Sequence, residues 1–239
     1  MNKNYKIWAI IPARSGSKGI KNKNIIPFIN SPLLVHSINF AKKLKFIDRI
    51  ILSTDSKRYQ KVGEKSGAEV PFLRSKKASM TYSMEEDVLE DIRLKLIKNK
   101  QKLPDYILWL RPTHPLRDIK IFEKGFIKLK KYKQSICIVS EADSRIFTSK
   151  NNKLIALNPK FKSRSMVRRQ DCLKTFKIFH GEFFKFPKKY DKKFLGKNIR
   201  FEVQNKLCSI DIDTIEDLNL YQRIIQLDKK KYEKFLHTT

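Results

Sequence analysis

Lys6-Ile7-Trp8-Ala9-Ile10-Ile11 is a continuous apolar, β-rich run that passes directly into Pro12-Ala13-Arg14-Ser15-Gly16-Ser17-Lys18-Gly19-Ile20-Lys21-Asn22-Lys23-Asn24. A strand without polar alternation is buried on both faces, as in a parallel sheet covered by helices on either side. The loop that follows is neither the Gly-x4-Gly-Lys-Ser/Thr phosphate loop nor the Gly-x-Gly-x-x-Gly dinucleotide fingerprint. It nevertheless has the parts of a phosphate site. Gly16 and Gly19 admit φ > 0 and close approach, so that successive N–H groups can face an anion. Arg14, Lys18 and Lys23 add fixed positive charge. The carboxyl end of a parallel strand is where α/β sheets bind ligands.

Working outward, strand and helix alternate. The patterns predict a helix over Pro32–Leu44, a buried strand over Arg49–Ser53 and a short helix over Tyr59–Ser66 stopped by Gly67. A longer helix follows over Glu85–Asn99, with Val88, Ile92 and Leu96 on one face, then a strand over Tyr106–Leu110. Ile119–Tyr132 reads as a helix and Ser135–Val139 as a strand. The alternation predicts a Rossmann-like α/β fold, a mainly parallel sheet with helices on both faces. From Glu141 to about Lys189 the rhythm breaks into strands and long loops rich in phenylalanine, which reads as an arm inserted in a single domain spanning 1–239. Regular structure resumes with a predicted strand over Leu207–Asp213 and a helix over Ile215–Leu227, capped by Thr214 and Asp217. The tail from Lys229 reads as frayed.

Composition narrows the class. Lys plus Arg is 53 against 24 Asp plus Glu, a formal charge of +29, with 41% hydrophobic residues. That hydrophobic content suffices for a core and excludes a disordered basic protein. The lysines are dispersed along the chain, which favours a solvated basic surface over a nucleic-acid footprint, although a positive field still attracts nucleotides. Cys137, Cys172 and Cys208 form no Cys-x-x-Cys pair, which argues against a disulfide framework or zinc ribbon. Apolar runs are far shorter than the roughly 20 residues of a membrane span. The expectation is a cytoplasmic protein that does not engage a membrane.

Ile11-Pro12-Ala13-Arg14-x-x-Ser17-Lys18-Gly19-x-x-x-Lys23-Asn24 resembles the nucleotide-binding signature of the acylneuraminate cytidylyltransferases, enzymes of the CMP-sialic acid synthetase type. Further segments match in the same order: Ser53-Thr54-Asp55, Gly67–Arg74, Leu110–Arg117, Arg168–Asp171 and Ser209–Asp213. The resemblance implies transfer of CMP from CTP to the anomeric hydroxyl of a nine-carbon or related 2-keto-3-deoxy sugar acid, with release of pyrophosphate. Other readings stay open: a nucleotidyltransferase of similar fold acting on a sugar or polyol phosphate, or a non-catalytic binding homologue.

The resemblance also implies roles. Arg14, Ser17, Lys18, Gly19, Lys23 and Asn24 serve the nucleotide, with Arg14 and Lys18 also counted as catalytic and Lys18 stabilising charge in the transition state. Arg74 and Ser83 fall near the base. Arg111, Thr113, Arg169 and Gln170 serve the sugar. Arg111 stands where many members have Gln, and its guanidinium suits the sugar carboxylate. Asp211 and Asp213 would share one face of a strand, and such a pair suits Mg²⁺, with Asp211 also counted as catalytic. His114 and His180 are read as hydrogen-bonding residues, not bases. The arm, with Phe147, Phe161, Phe176, Phe179, Phe183 and Phe184, would pair with its twin in a homodimer and lend residues to the sugar site.

Overall fold

The computed structural model describes residues 5–17, 19–157 and 168–237, without the side chains of Arg169 and Phe179. Lys18 and Phe161 therefore lie outside the described residues. Strand β1 (Ile7–Pro12) leads through two short strands, β2 (Pro27–Phe28) and β3 (Ser31–Pro32), into helix α1 (Leu33–Lys43). Then come β4 (Arg49–Ser53), α2 (Lys57–Lys65), α3 (Lys76–Ser79), α4 (Glu85–Lys98), β5 (Tyr106–Trp109), α5 (Ile119–Tyr132) and β6 (Ser135–Ala142). A hairpin, β7 (Phe147–Lys150) and β8 (Lys153–Ala156), precedes β9 (Thr175–Lys185) and β10 (Ile199–Val203). Helices α6 (Ile215–Leu227) and α7 (Lys229–Tyr232) follow.

Six strands form one sheet in the order β10-β6-β9-β5-β1-β4. Every named pairing in it is parallel except those of β9, which runs antiparallel between β5 and β6. The period-two alternation of β1 divides the core. Ile7, Ala9 and Ile11 pack with α1 and α5 through Leu34, Ile38, Phe40 and Phe122. Trp8 and Ile10 pack on the other face with Val88, Leu89, Ile92 and Leu96 of α4. Helices thus cover both faces, as the unbroken apolar run of β1 requires. Gly67, at φ +91°, ends α2 in the left-handed conformation that glycine adopts without strain.

Three expectations are corrected. The irregular segment 141–189 is not wholly an arm, because Thr175–Lys185 is a central strand of the sheet. Phe183 and Phe184 are buried on opposite faces of that sheet, where each contributes roughly 1.5–3 kcal/mol by leaving water. They are core residues and offer nothing to a partner chain. Leu207–Asp213 is not a strand. Lys206–Cys208 forms a single 3₁₀ turn, and the chain then crosses the sheet edge, tied by the Ile212 N–H to the Thr113 carbonyl at 2.9 Å. The tail is not frayed through its length. Tyr232, Phe235 and Leu236 join Phe28, Leu33 and Ile212 in a third buried cluster.

Gly181 in β9 shows how tightly this sheet is covered. A Cβ there would lie 2.5 Å from Cε1 of Phe122 on α5. Gly181→Ala should therefore overpack the core and destabilise the protein by about 1–3 kcal/mol. A lowered denaturant midpoint with an unchanged slope checks this, and an unshifted midpoint contradicts it.

Candidate active site

The carboxyl ends of β1 and β5 and the segment before α6 enclose a cleft of about 530 Å³. The loop after β1 supplies Arg14, Ser17, Gly19, Lys23 and Asn24; Arg74, Ser83 and Glu85 line a second side; Trp109, Arg111, Thr113 and Asp213 complete it. The structure thus brings together most of the residues singled out in the sequence. Asp211 and Gln170 are not among those lining the cleft, and Gln170 is exposed on a 3₁₀ turn.

The β1 loop is braced at several points. Asp55, just past β4, accepts from the Ser15 N–H (2.8 Å) and the Ser15 hydroxyl (3.0 Å). Buried Asn24 donates through Nδ2 to the Arg14 carbonyl at 3.0 Å. Asn24 therefore shapes the loop as well as lining the cleft. Gly16 does not take the positive φ that the sequence allowed for. Gly19 is needed for close approach: a Cβ would meet the backbone oxygen of Asp213 at 2.7 Å. The absent side chain lets the cationic loop touch the aspartate segment.

Cations and acids then interlock. Arg14 donates to the Met80 carbonyl at 2.9 Å, and Ser83 Oγ donates to the Lys77 carbonyl. Arg74 is buried, donating to Ser53 Oγ (3.1 Å) and the Ser53 carbonyl (2.7 Å). Burial draws its pKa down to about 10, against the pull of Asp55 and Asp91, and it stays charged at neutral pH. At the end of β5, Arg111 donates through Nη1 to both oxygens of Glu182 (2.8 and 2.7 Å) and through Nη2 to Glu85 (2.8 Å). Burial opposes its charge, but the two carboxylates outweigh that cost and its pKa lies above the ordinary value. Burial pushes the Glu182 carboxyl upward despite Arg111.

Sequence reasoning missed Glu182, Arg117 and Lys177. The available signal for Glu182 was a lone acid inside the aromatic run Phe179–Phe184. Fully buried Arg117 donates to the carbonyls of Arg111 (2.6 Å) and His180 (3.3 Å) and to Ser37 Oγ (3.1 Å), and burial lowers its pKa to about 9.

The shared strand face expected for Asp211 and Asp213 is absent, since no strand forms there. Asp213 accepts from Lys23 Nζ at 2.8 Å. Asp211 turns to the other side, with His114 Nδ1 at 3.1 Å from Oδ1 and Lys177 Nζ at 3.2 Å from Oδ2. Asp217 accepts from the N–H groups of Asp213 and Thr214, so the helix cap also fixes the backbone of Asp213. Among the described residues no group of three or more His, Cys, Asp or Glu is arranged to hold a metal by itself. Mg²⁺ keeps few protein oxygens and fills its shell with phosphate and water, and the Asp213 carboxylate at the cleft is a donor of the kind it takes. His114 approaches Asp211 and Thr113, and His180 pairs with Ser140 at 2.8 Å.

A mainly parallel sheet with a cationic cleft at its carboxyl edge is the architecture of a nucleotide-binding enzyme. The chain belongs to the Cytidylyltransferase family, whose sequence profile matches residues 8–235, and it is a CTP-dependent nucleotidyltransferase. A pseudaminic acid cytidylyltransferase from Campylobacter jejuni is 30% identical over 219 residues, covering 87% of this chain and 91% of that protein. A CMP-N,N'-diacetyllegionaminic acid synthase from the same species is 26% identical over 230 residues, covering 93% and 96%. A solved CMP:2-keto-3-deoxy-manno-octonic acid synthetase, complexed with CTP, shares the fold at TM-score 0.65 and 14% identity, covering 93% of this chain and 99% of that one. Among the described residues no helix is long and apolar enough to cross a membrane.

All four histidines are buried. Burial lowers His36, His180 and His237 from 6.5 to about 4, and His114 well below 6.5. Between about pH 6.5 and pH 4 the unfolded chain thus binds protons that the folded chain refuses. Each histidine removes up to about 1.4 kcal/mol of stability per pH unit as the pH falls through that window. Glu182, with its raised pKa, acts in the opposite sense, one group against four. Unfolding titrations across this range should show stability falling steeply with acidification, and a flat profile would contradict the buried neutral state.

Proposed function

We propose that the protein transfers CMP from CTP to the anomeric hydroxyl of a nine-carbon 2-keto-3-deoxy sugar acid of the pseudaminic or legionaminic type. The observation that carries this reading is the convergence of Arg14, Lys23, Arg74 and Arg111 with Asp213 on one cleft, in a chain whose relatives of comparable length are named for those sugars. The sugar hydroxyl oxygen forms a bond to the α-phosphorus, and the bond to the bridging oxygen of pyrophosphate breaks. Negative charge grows on the phosphate oxygens, so cations already in place lower the barrier. Arg14 and Lys23 hold the triphosphate, joined by Lys18, whose place in the glycine turn suits it to the charge of the transition state. Ser17 and Gly19 line the phosphate end, and Arg74 and Ser83 face the base. Asp211 and Asp213 would hold Mg²⁺, which supplies Lewis-acid charge stabilisation when bound.

Arg111 and Thr113 form the sugar side, with Arg169 and Gln170 arriving from the segment before β9. Two carboxylates already brace Arg111 and offset its charge, so its guanidinium is held in place at the sugar side but supplies little net positive field there. The exposed apolar side chains of the β7–β8 hairpin, Phe147, Leu154 and Ile155, support pairing with a second copy in a homodimer.

Pyrophosphate release with CTP, Mg²⁺ and a panel of pseudaminic, legionaminic and N-acetylneuraminic acids tests the reaction. Turnover with one of these acids and CTP, and poor turnover with ATP, is expected; equal use of ATP would defeat the cytidine assignment. Arg111→Gln should raise KM for the sugar acid more than for CTP, by roughly 10- to 150-fold, and should also destabilise the protein by about 3–5 kcal/mol, because Glu182 loses its buried partner. A rise confined to the KM for CTP would move Arg111 to the triphosphate.

A further inference from the structure

Asp211 is gripped from two sides by partners of different character. His114 is buried, and its Nδ1 lies 3.1 Å from Oδ1. Lys177 reaches Oδ2 at 3.2 Å with a side chain still 46% exposed, against 20% for Asp211. It stands on β9 just beyond the place where the register with β6 slips between Ile138 and Ser140, and it pairs there with Ser140. Such irregularities re-aim side chains, and this one brings a solvent-exposed ammonium to Asp211. Asp211 is the acid that Lys177 pairs with among the described residues. Lys23, the corresponding partner of Asp213, lines the cleft itself, where the proposed function gives it the triphosphate as well.

We infer that Lys177 is a displaceable counter-ion of Asp211, competing with a divalent cation for the same carboxylate. This rests on the reading of Asp211 as a metal ligand. An exposed ammonium–carboxylate pair is weak because water screens it, so a doubly charged ion can take the oxygen that the lysine holds. His114 can keep Oδ1 oriented while the exchange occurs at Oδ2. The lysine thus sets the affinity for the metal: with the ammonium in place, the ion must pay for its displacement, and binding is favoured when triphosphate adds further oxygens.

The test is Mn²⁺ binding to the purified protein, followed by electron paramagnetic resonance without nucleotide or sugar. Lys177→Met should tighten Mn²⁺ binding by roughly two- to tenfold, the scale of one exposed charge interaction and its repulsion of the ion. Lys177→Arg, which keeps the charge, should bind like the parent protein. Asp211→Asn should weaken binding and abolish the gain from Lys177→Met. If Asp211→Asn weakens binding while Lys177→Met leaves it unchanged or poorer, the counter-ion role is wrong and the metal ligand stands. If Asp211→Asn binds as the parent does, or no variant binds Mn²⁺ measurably, the metal reading of Asp211 and the counter-ion role fall together.

Discussion

A carboxylate in the middle of a buried strand governs how the cleft is built. Glu182 sits on β9 opposite Trp109 of β5, and its charge is answered by Arg111, two residues beyond the end of that strand. Removing either partner would leave the other charge buried, a cost of about 3–5 kcal/mol. The pair therefore binds the end of β5 to β9, and Glu85 extends the link to the start of α4. Arg117 continues it toward α1 through Ser37. Four elements are locked around one rim of the cleft before any ligand arrives, the kind of preorganisation that positions reacting groups without further ordering.

The opposite rim depends on a contact with no side chain in it. Gly19 and the backbone of Asp213 lie too close for a Cβ between them. The cationic loop after β1 and the acidic segment before α6 are nearly 200 residues apart, and this approach makes them neighbours. Lys23 and Asp213 then neutralise each other locally, while Arg14 and Arg74 remain as positive charge along the cleft. With a formal charge of +29 over the whole chain, a polyphosphate meets an attractive field before it meets the site.

The antiparallel strand explains why the middle of the chain is hard to read. Thr175–Lys185 has the aromatic content of a strand, but it follows a long irregular stretch and inserts between β5 and β6, which are already neighbours in the βα rhythm. Its burial depends on two strands that come earlier in the chain, so Phe183 and Phe184 look from the sequence like surface aromatics awaiting a partner. Period two likewise failed at Asp211 and Asp213, because a strand exists only where a neighbour completes its ladder. There the chain finds a single backbone bond to Thr113 instead.

Local chemistry was enough for β1, β4, β5 and β6, though not for the parallel edge strand β10, and for the helices over Leu33–Lys43, Glu85–Lys98 and Ile119–Tyr132, the Thr214–Asp217 cap and the cationic glycine loop. Each is encoded by apolar period, capping residues or glycine within a short window. Arg14, Lys23 and Gly19 of the cleft were legible from the loop itself, whereas Arg74, Ser83, Arg111 and Thr113 came from the family resemblance. Tertiary structure alone decided that Glu182 would meet Arg111, that Arg117 would be the most deeply buried cation in the site, and that Lys177 and His114 would share Asp211. Those contacts join residues far apart in sequence, and they hold because opposite charges attract across a poorly solvated interior strongly enough to offset the cost of leaving water, a balance that no single stretch of chain possesses.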